Sequence, residues 1–179
     1  FHELYLLYFN FINKYPDSII GYKLRKNYWS RNLNNCGKNP KISMQSTIGF
    51  PELIDIGDNF ILGNYAHITA ASSKGIFIGS NVSISRGSYL HASNHNIDNE
   101  NLNIMDQGTY ASELEYKNKV YSIVIEDNVW IGSNAVILSG TFLESGCVVA
   151  SGSIVSGRFK KDSVIGGNPS RFIKNRFQK

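Results

Sequence analysis

An aliphatic side chain recurs every six residues from Ile125 through Ile131, Ile137, Leu143 and Val149 to Val155. A shorter run of the same period passes through Ile56, Leu62 and Ile68, and again through Ile78, Ile84 and Leu90. Two residues before each member of the later run stands a second, mostly small side chain: Val129, Ala135, Thr141, Cys147 and Ser153. Alternate residues of a strand point to opposite faces, so both members of each pair point inward and the residue between them points out.

Glycine follows several aliphatic members directly, and Asp, Asn or Ser often comes next, as in Gly57-Asp58-Asn59. These residue types accept the sharp or left-handed corners that six-residue sides require. Three such sides close a triangular coil, and the period predicts a parallel β-helix with an all-β core. Stacked coils share one apolar column, in which each buried Ile or Leu contributes roughly 1.5–3 kcal/mol. The outward members of the later run are Trp130, Val136, Phe142, Val148 and Ile154. Consecutive sides belong to different faces, so Trp130 stacks with Val148 and Val136 with Ile154. An outer surface this apolar predicts self-association into a closed cyclic oligomer.

The period is absent or broken in four places. Residues 1–33 place Leu4, Leu7, Tyr8, Phe11 and Ile12 at helical spacing before a break at Pro16, and predict a helical cap over the open end of a β-helix spanning 34–165. The basic-aromatic run after the break, with Lys23, Arg25, Lys26, Tyr28 and Trp29, offers peripheral contact with a membrane surface as the alternative. Ser72–Gly75 reads as a bulge at a corner. Residues 96–122 are too polar to enter the coil and form a long protruding loop, a kind of segment that is usually functional or disordered. Residues 166–179, with Arg171, Lys174, Arg176 and Lys179, read as a short basic C-terminal helix or tail.

Composition narrows the partners. The chain has 179 residues and a net charge of +4, which suits an anionic small molecule better than a nucleic acid, whose binding asks for a dense basic stripe. No apolar run approaches the length needed to cross a bilayer. Phe1 rather than Met stands first, so a preceding secretion signal is left open, although none is visible. Cys36 and Cys147 lack metal-ligand spacing, and a reducing, cytoplasmic setting is the simplest reading.

Among the histidines, His95 is the outward residue after which the long loop leaves the coil. A base on a rigid edge beside a loop that can cover it is placed for proton transfer. His67, in the middle of a side, and His91, at a corner, read as hydrogen-bonded structural residues.

Three segments carry a resemblance: Gly63-Asn64-Tyr65-Ala66-His67-Ile68, Ala92-Ser93-Asn94-His95-Asn96-Ile97-Asp98, and the run from Ile125 to Gly140 containing Val129-Trp130-Ile131-Gly132-Ser133, followed by Gly166-Gly167-Asn168-Pro169. Together they resemble the hexapeptide-repeat acyltransferases, in the branch that O-acetylates sugars and is similar to galactoside and maltose acetyltransferases and to those of bacterial surface-polysaccharide clusters. The resemblance covers about residues 36–176. It implies a left-handed coil, a homotrimer, acetyl-CoA in grooves between subunits, no metal, and a carbohydrate acceptor in capsule, O-antigen or exopolysaccharide synthesis. It implies His95 as catalytic base and Asn64, with Tyr65 beside it, as acceptor contacts. Trp130, Ser133 and Ser151 correspond to cofactor contacts, and Ser156, Lys161 and Lys174 to the nucleotide end. Gly157 stands where relatives often carry a lysine near the cofactor phosphates, leaving Arg158, Lys160 or Lys161 to supply that charge.

The implied chemistry is direct transfer: an imidazole takes the proton of a sugar hydroxyl as it attacks the thioester, worth typically ~10²–10⁴-fold. A backbone N–H near Ser133 is the expected oxyanion donor. Rival readings are an antibiotic acetyltransferase of the streptogramin type, a non-catalytic glycan-binding or structural β-helix, and a γ-class carbonic anhydrase, whose zinc would need His67, His91 and His95 together.

Overall fold

The computed structural model describes residues 2–178. Three parallel sheets form the sides of a prism. Face A stacks Asn35–Cys36, Ile54–Ile56, Ile76–Ile78, Ile123–Ile125, Phe142–Leu143 and Arg158–Phe159. Face B stacks Lys41–Ile42, Ile61–Leu62, Ser83–Ile84, Trp130–Ile131, Val148–Val149 and Ser163–Gly167. Face C stacks Thr47–Gly49, His67–Thr69, Tyr89–His91, Val136–Leu138 and Ile154–Val155. The chain visits A, B and C in turn, so the corners form three ridges, here termed AB, BC and CA.

The six-residue period is the core itself. Ile125, Ile131, Ile137, Leu143 and Val155 are fully buried, as are their small partners Ala135, Thr141 and Cys147. Trp130 pairs with Val148, and Val136 with Ile154, as the spacing predicts. Corner chemistry follows the sequence as well. On the AB ridge Asn39, Asn59, Asn81 and Asn128 all adopt left-handed φ between 55° and 59°, a conformation Asn tolerates better than most residues. Gly57 is required beside that ridge because a Cβ there would lie 2.6 Å from the backbone of Gly79 in the next coil.

Two helices, α1 (His2–Lys14) and α2 (Ile19–Asn32), close the first coil. Ser18 caps α2 by accepting from the Gly21 N–H at 3.1 Å. Trp29 and Leu33 join Ile42 and Ile48 in the core, and Phe9 meets the Trp29 ring edge-on at 5.8 Å. Of the basic-aromatic run, Arg25 is 1% and Trp29 3% exposed: these two are consumed in seating the cap.

Residues 96–122 leave the coil at the CA ridge and are ordered as two antiparallel pairs. Asn94–His95 pairs with Thr109–Tyr110, and Leu114–Tyr116 with Lys119–Tyr121. The second hairpin lies on face A, where Tyr116 meets Phe142 at 5.6 Å and Phe77 at 4.9 Å. Phe142 thus points away from the coil yet is buried under the chain's own hairpin. Ser72–Gly75 is a corner bulge, held by the Ser122 hydroxyl on the Lys74 N–H at 3.0 Å. The C-terminal segment forms a strand, Ser170–Asn175, folded back antiparallel on Ser163–Gly167, with no helix among the described residues there. The free edge of face B supplies backbone partners that outweigh the helical alternative.

Candidate functional site

Most of the residues singled out from sequence fall on ridges; Trp130 lies on face B and Lys174 on the terminal strand. His95 projects from the CA ridge at the first strand of the loop, opposite Thr109, and is exposed. Its imidazole makes no hydrogen bond among the described residues. Ser156 lies on the same ridge two coils on, also exposed.

The BC ridge carries a second set. Asn64 and Tyr65 occupy it first; the Asn64 carbonyl accepts from the Gly87 N–H, the Arg86 carbonyl from Asn134, and the Ser133 carbonyl from Gly152. Asn64, Tyr65, Arg86, Ser133 and Ser151 therefore form one column along the prism. The Ser133 and Ser151 N–H groups have no acceptor among the described residues, which leaves two aligned donors one coil apart. Trp130 flanks the column on face B, 53% exposed, with its indole N–H donating to the Ser85 hydroxyl at 3.0 Å. In one protomer His95 and Asn64 thus lie at opposite edges of face C and are not brought together.

Sequence reasoning missed Asp17. Its Oδ1 accepts from Arg25 Nη2 at 2.6 Å and the Met44 N–H at 2.8 Å, and its Oδ2 accepts from Asn64 Nδ2 at 2.7 Å. The inter-helix turn thereby fixes the amide of Asn64. No local pattern announces this; the signal available was only an acidic residue beside a helix start.

Lys161 is on the AB ridge, where its N–H donates to Glu144 at 3.1 Å, away from the other cofactor candidates. Arg158 is held by Glu144 at 3.1 Å and lies 3.9 Å over the Phe142 ring, so it is committed to face A. Gly157 takes φ 90°, a corner conformation that explains glycine there in place of lysine. Lys174 is exposed on the terminal strand opposite Val164.

His67 and His91 line the outer side of face C. His67 Nδ1 is hydrogen-bonded to the Thr47 hydroxyl, and its ring stacks on Tyr89 at 5.2 Å. Tyr89 in turn meets His91 Nδ1 at 2.7 Å. Burial, with the nearby His91 adding to it, holds the His67 imidazole below its ordinary pKa. His95 lies around the corner from both, and among the described residues no three His, Cys, Asp or Glu side chains are grouped to hold a metal ion.

A family profile described as the hexapeptide repeat of succinyl-transferase matches residues 122–156. The Vibrio cholerae hexapeptide-repeat acetyltransferase, solved with acetyl coenzyme A, superposes with a TM-score of 0.74 at 25% identity, covering 93% of this chain and 82% of that one. Residues 122–156 thus carry the hexapeptide repeat, and the chain has the β-helical fold of the hexapeptide-repeat acetyltransferases. The chain is 33% identical over 128 residues to a chloramphenicol acetyltransferase of Klebsiella aerogenes, spanning 72% of this chain and 56% of that protein. It is 29% identical over 122 residues to a putative lipopolysaccharide biosynthesis O-acetyl transferase of Escherichia coli K12, spanning 68% and 60%. The chain thus spans little more than half the length of these two curated relatives.

Proposed function

We propose that the protein transfers an acetyl group from acetyl-CoA to a sugar hydroxyl, in sites shared between the subunits of a homotrimer. The observation that carries the proposal is the division of candidate residues between the two edges of face C: a free imidazole on the CA ridge, and aligned N–H donors with a fixed amide on the BC ridge. Cyclic packing through face C sets the CA ridge of one copy against the BC ridge of the next. The apolar outer positions Val136 and Ile154 suit that packing. The acetyl-CoA complex of the Vibrio relative supports the donor, and the E. coli lipopolysaccharide relative supports a glycan acceptor.

In this reading the cofactor lies along the BC ridge past Trp130, Ser133 and Ser151, with its nucleotide toward Lys174 and toward Ser156 on the CA ridge of the next copy. Lys161 sits too far around the prism to share that path unless a second copy approaches the AB ridge. Asn64, positioned by Asp17, holds the acceptor with Tyr65. His95 removes the hydroxyl proton as oxygen attacks the thioester carbon. The Ser133 N–H stabilises the oxyanion, and collapse expels the thiolate, which recovers the proton from His95. No cysteine enters the step.

The test is acetyl-CoA consumption over mono- and oligosaccharides, with mass spectrometry of products. His95→Ala is expected to lower turnover about 100-fold or more without changing oligomeric state; near-normal turnover refutes the role. The likeness to a chloramphenicol acetyltransferase favours a second reading, an antibiotic acceptor. Chloramphenicol and a streptogramin in the same panel decide between them.

A further inference from the structure

Arg86 stands on the BC ridge between the coils of Asn64 and Ser133: its carbonyl accepts from the Asn134 N–H, and the next residue, Gly87, donates to the Asn64 carbonyl. The Arg86 guanidinium lies over the Tyr65 ring, 4.8 Å from the centroid. Among the described residues it makes no hydrogen bond and no salt bridge. The other arginines with described partners are spent: Arg25 on Asp17, Arg158 on Glu144 and Arg176 on the Gly146 carbonyl. Asp17, the carboxylate bound to Asn64, is compensated by Arg25 and does not oppose an anion at this point of the ridge.

A guanidinium stacked on an aromatic face keeps its edge N–H donors free and loses little freedom when they bind a planar oxyanion. Tyr65, 51% exposed, stands one coil before Arg86 on the ridge, and Trp130, 53% exposed and hydrogen-bonded to Ser85, stands one coil after it on the adjoining face B. Such aromatic rings suit the apolar side of a pyranose ring. We propose that Arg86 determines acceptor specificity by binding the carboxylate or phosphate of an anionic saccharide. The identification of the saccharide as acceptor rests on the acetyl-transfer reading, whereas the preference for an anion rests on Arg86 alone.

The test is calorimetric titration of the assembled protein, with coenzyme A present, using matched probes: methyl glucuronide against methyl glucoside, methyl galacturonide against methyl galactoside, and glucose 1-phosphate. At least one anionic probe is expected to bind about tenfold tighter than its neutral counterpart, an advantage that shrinks with salt. Arg86→Gln abolishes the advantage and Arg86→Lys restores part of it. A preference confined to the uronates assigns a carboxylate, and one confined to the sugar phosphate assigns a phosphate. Equal affinity for charged and neutral probes, no binding of any anionic probe, or an advantage that survives in Arg86→Gln overturns the proposal. Acetyl transfer to the same probes is read in parallel. An Arg86-dependent anion preference without transfer sinks the enzymatic reading and spares this one; transfer to neutral sugars with no anion preference does the reverse.

Discussion

Replacing Asp17 by Ala is expected to cost stability and to loosen the acceptor side at once. Asp17 is the carboxylate partner of Arg25, whose side chain is 1% exposed against 25% for Asp17. Burial pulls the Arg25 guanidinium below its ordinary pKa, and Asp17 opposes that pull. Leaving one member of a fully buried pair alone costs ~3–5 kcal/mol. Two facts reduce this: Asp17 borders solvent, so water can enter, and Arg25 keeps the carbonyls of Ile42, Ile12 and Tyr15 at 2.6, 3.0 and 2.7 Å. About 2–3 kcal/mol remains, or a Tm lower by roughly 5–10 °C for a chain of this size. The assay is urea denaturation at one fixed protein concentration, because association shifts apparent stability. Arg25→Met in the Asp17→Ala background removes the orphaned charge, so the double variant should be at least ~1 kcal/mol less destabilised than the sum of the singles. Asp17→Ala within about 0.5 kcal/mol of wild type, or strict additivity, refutes the argument.

Other expectations follow from the same geometry. The lowered His67 pKa means that the unfolded chain binds a proton the folded chain refuses, so stability falls as pH drops below about 6.5 and levels off below the folded value. In His67→Gln that component vanishes, and the difference in urea midpoint between wild type and variant should change between pH 7.5 and 5; a constant difference contradicts it. Burial pushes the Cys147 thiol up to about 11. Cys147 should resist iodoacetamide at pH 8 in the folded protein and react on denaturation; rapid native alkylation would reopen a covalent acyl intermediate.

The coil was legible because its core repeats locally: Ile125 to Val155 buries every sixth side chain, and one strand's geometry dictates the next. The C-terminal strand was not, since Arg171 and Lys174 read as a solvated end until the free edge beside Ser163–Gly167 offers them a ladder. Phe142 was legible as pointing outward, but its cover comes from Tyr116 in a hairpin whose docking no periodicity encodes. Of the candidate site, His95, Ser133 and Ser151 stood out by their motifs and lie on the edges of face C. Asp17 was invisible because its role exists only once residues 17, 25, 44 and 64 meet in space. Lys161 lies apart from Ser133 in one chain because a few residues of spacing carry the backbone around a corner to another ridge.

The central claim is that each active site joins the CA ridge of one subunit to the BC ridge of its neighbour. Mixed trimers of His95→Ala with Ser151→Arg, refolded from equal amounts of two inactive proteins, test it directly. Only an interface pairing an intact His95 with an intact Ser151 can work, and random mixing yields about one quarter of wild-type turnover. Mixed assemblies as inactive as their parents would place the whole site within one chain and contradict the account.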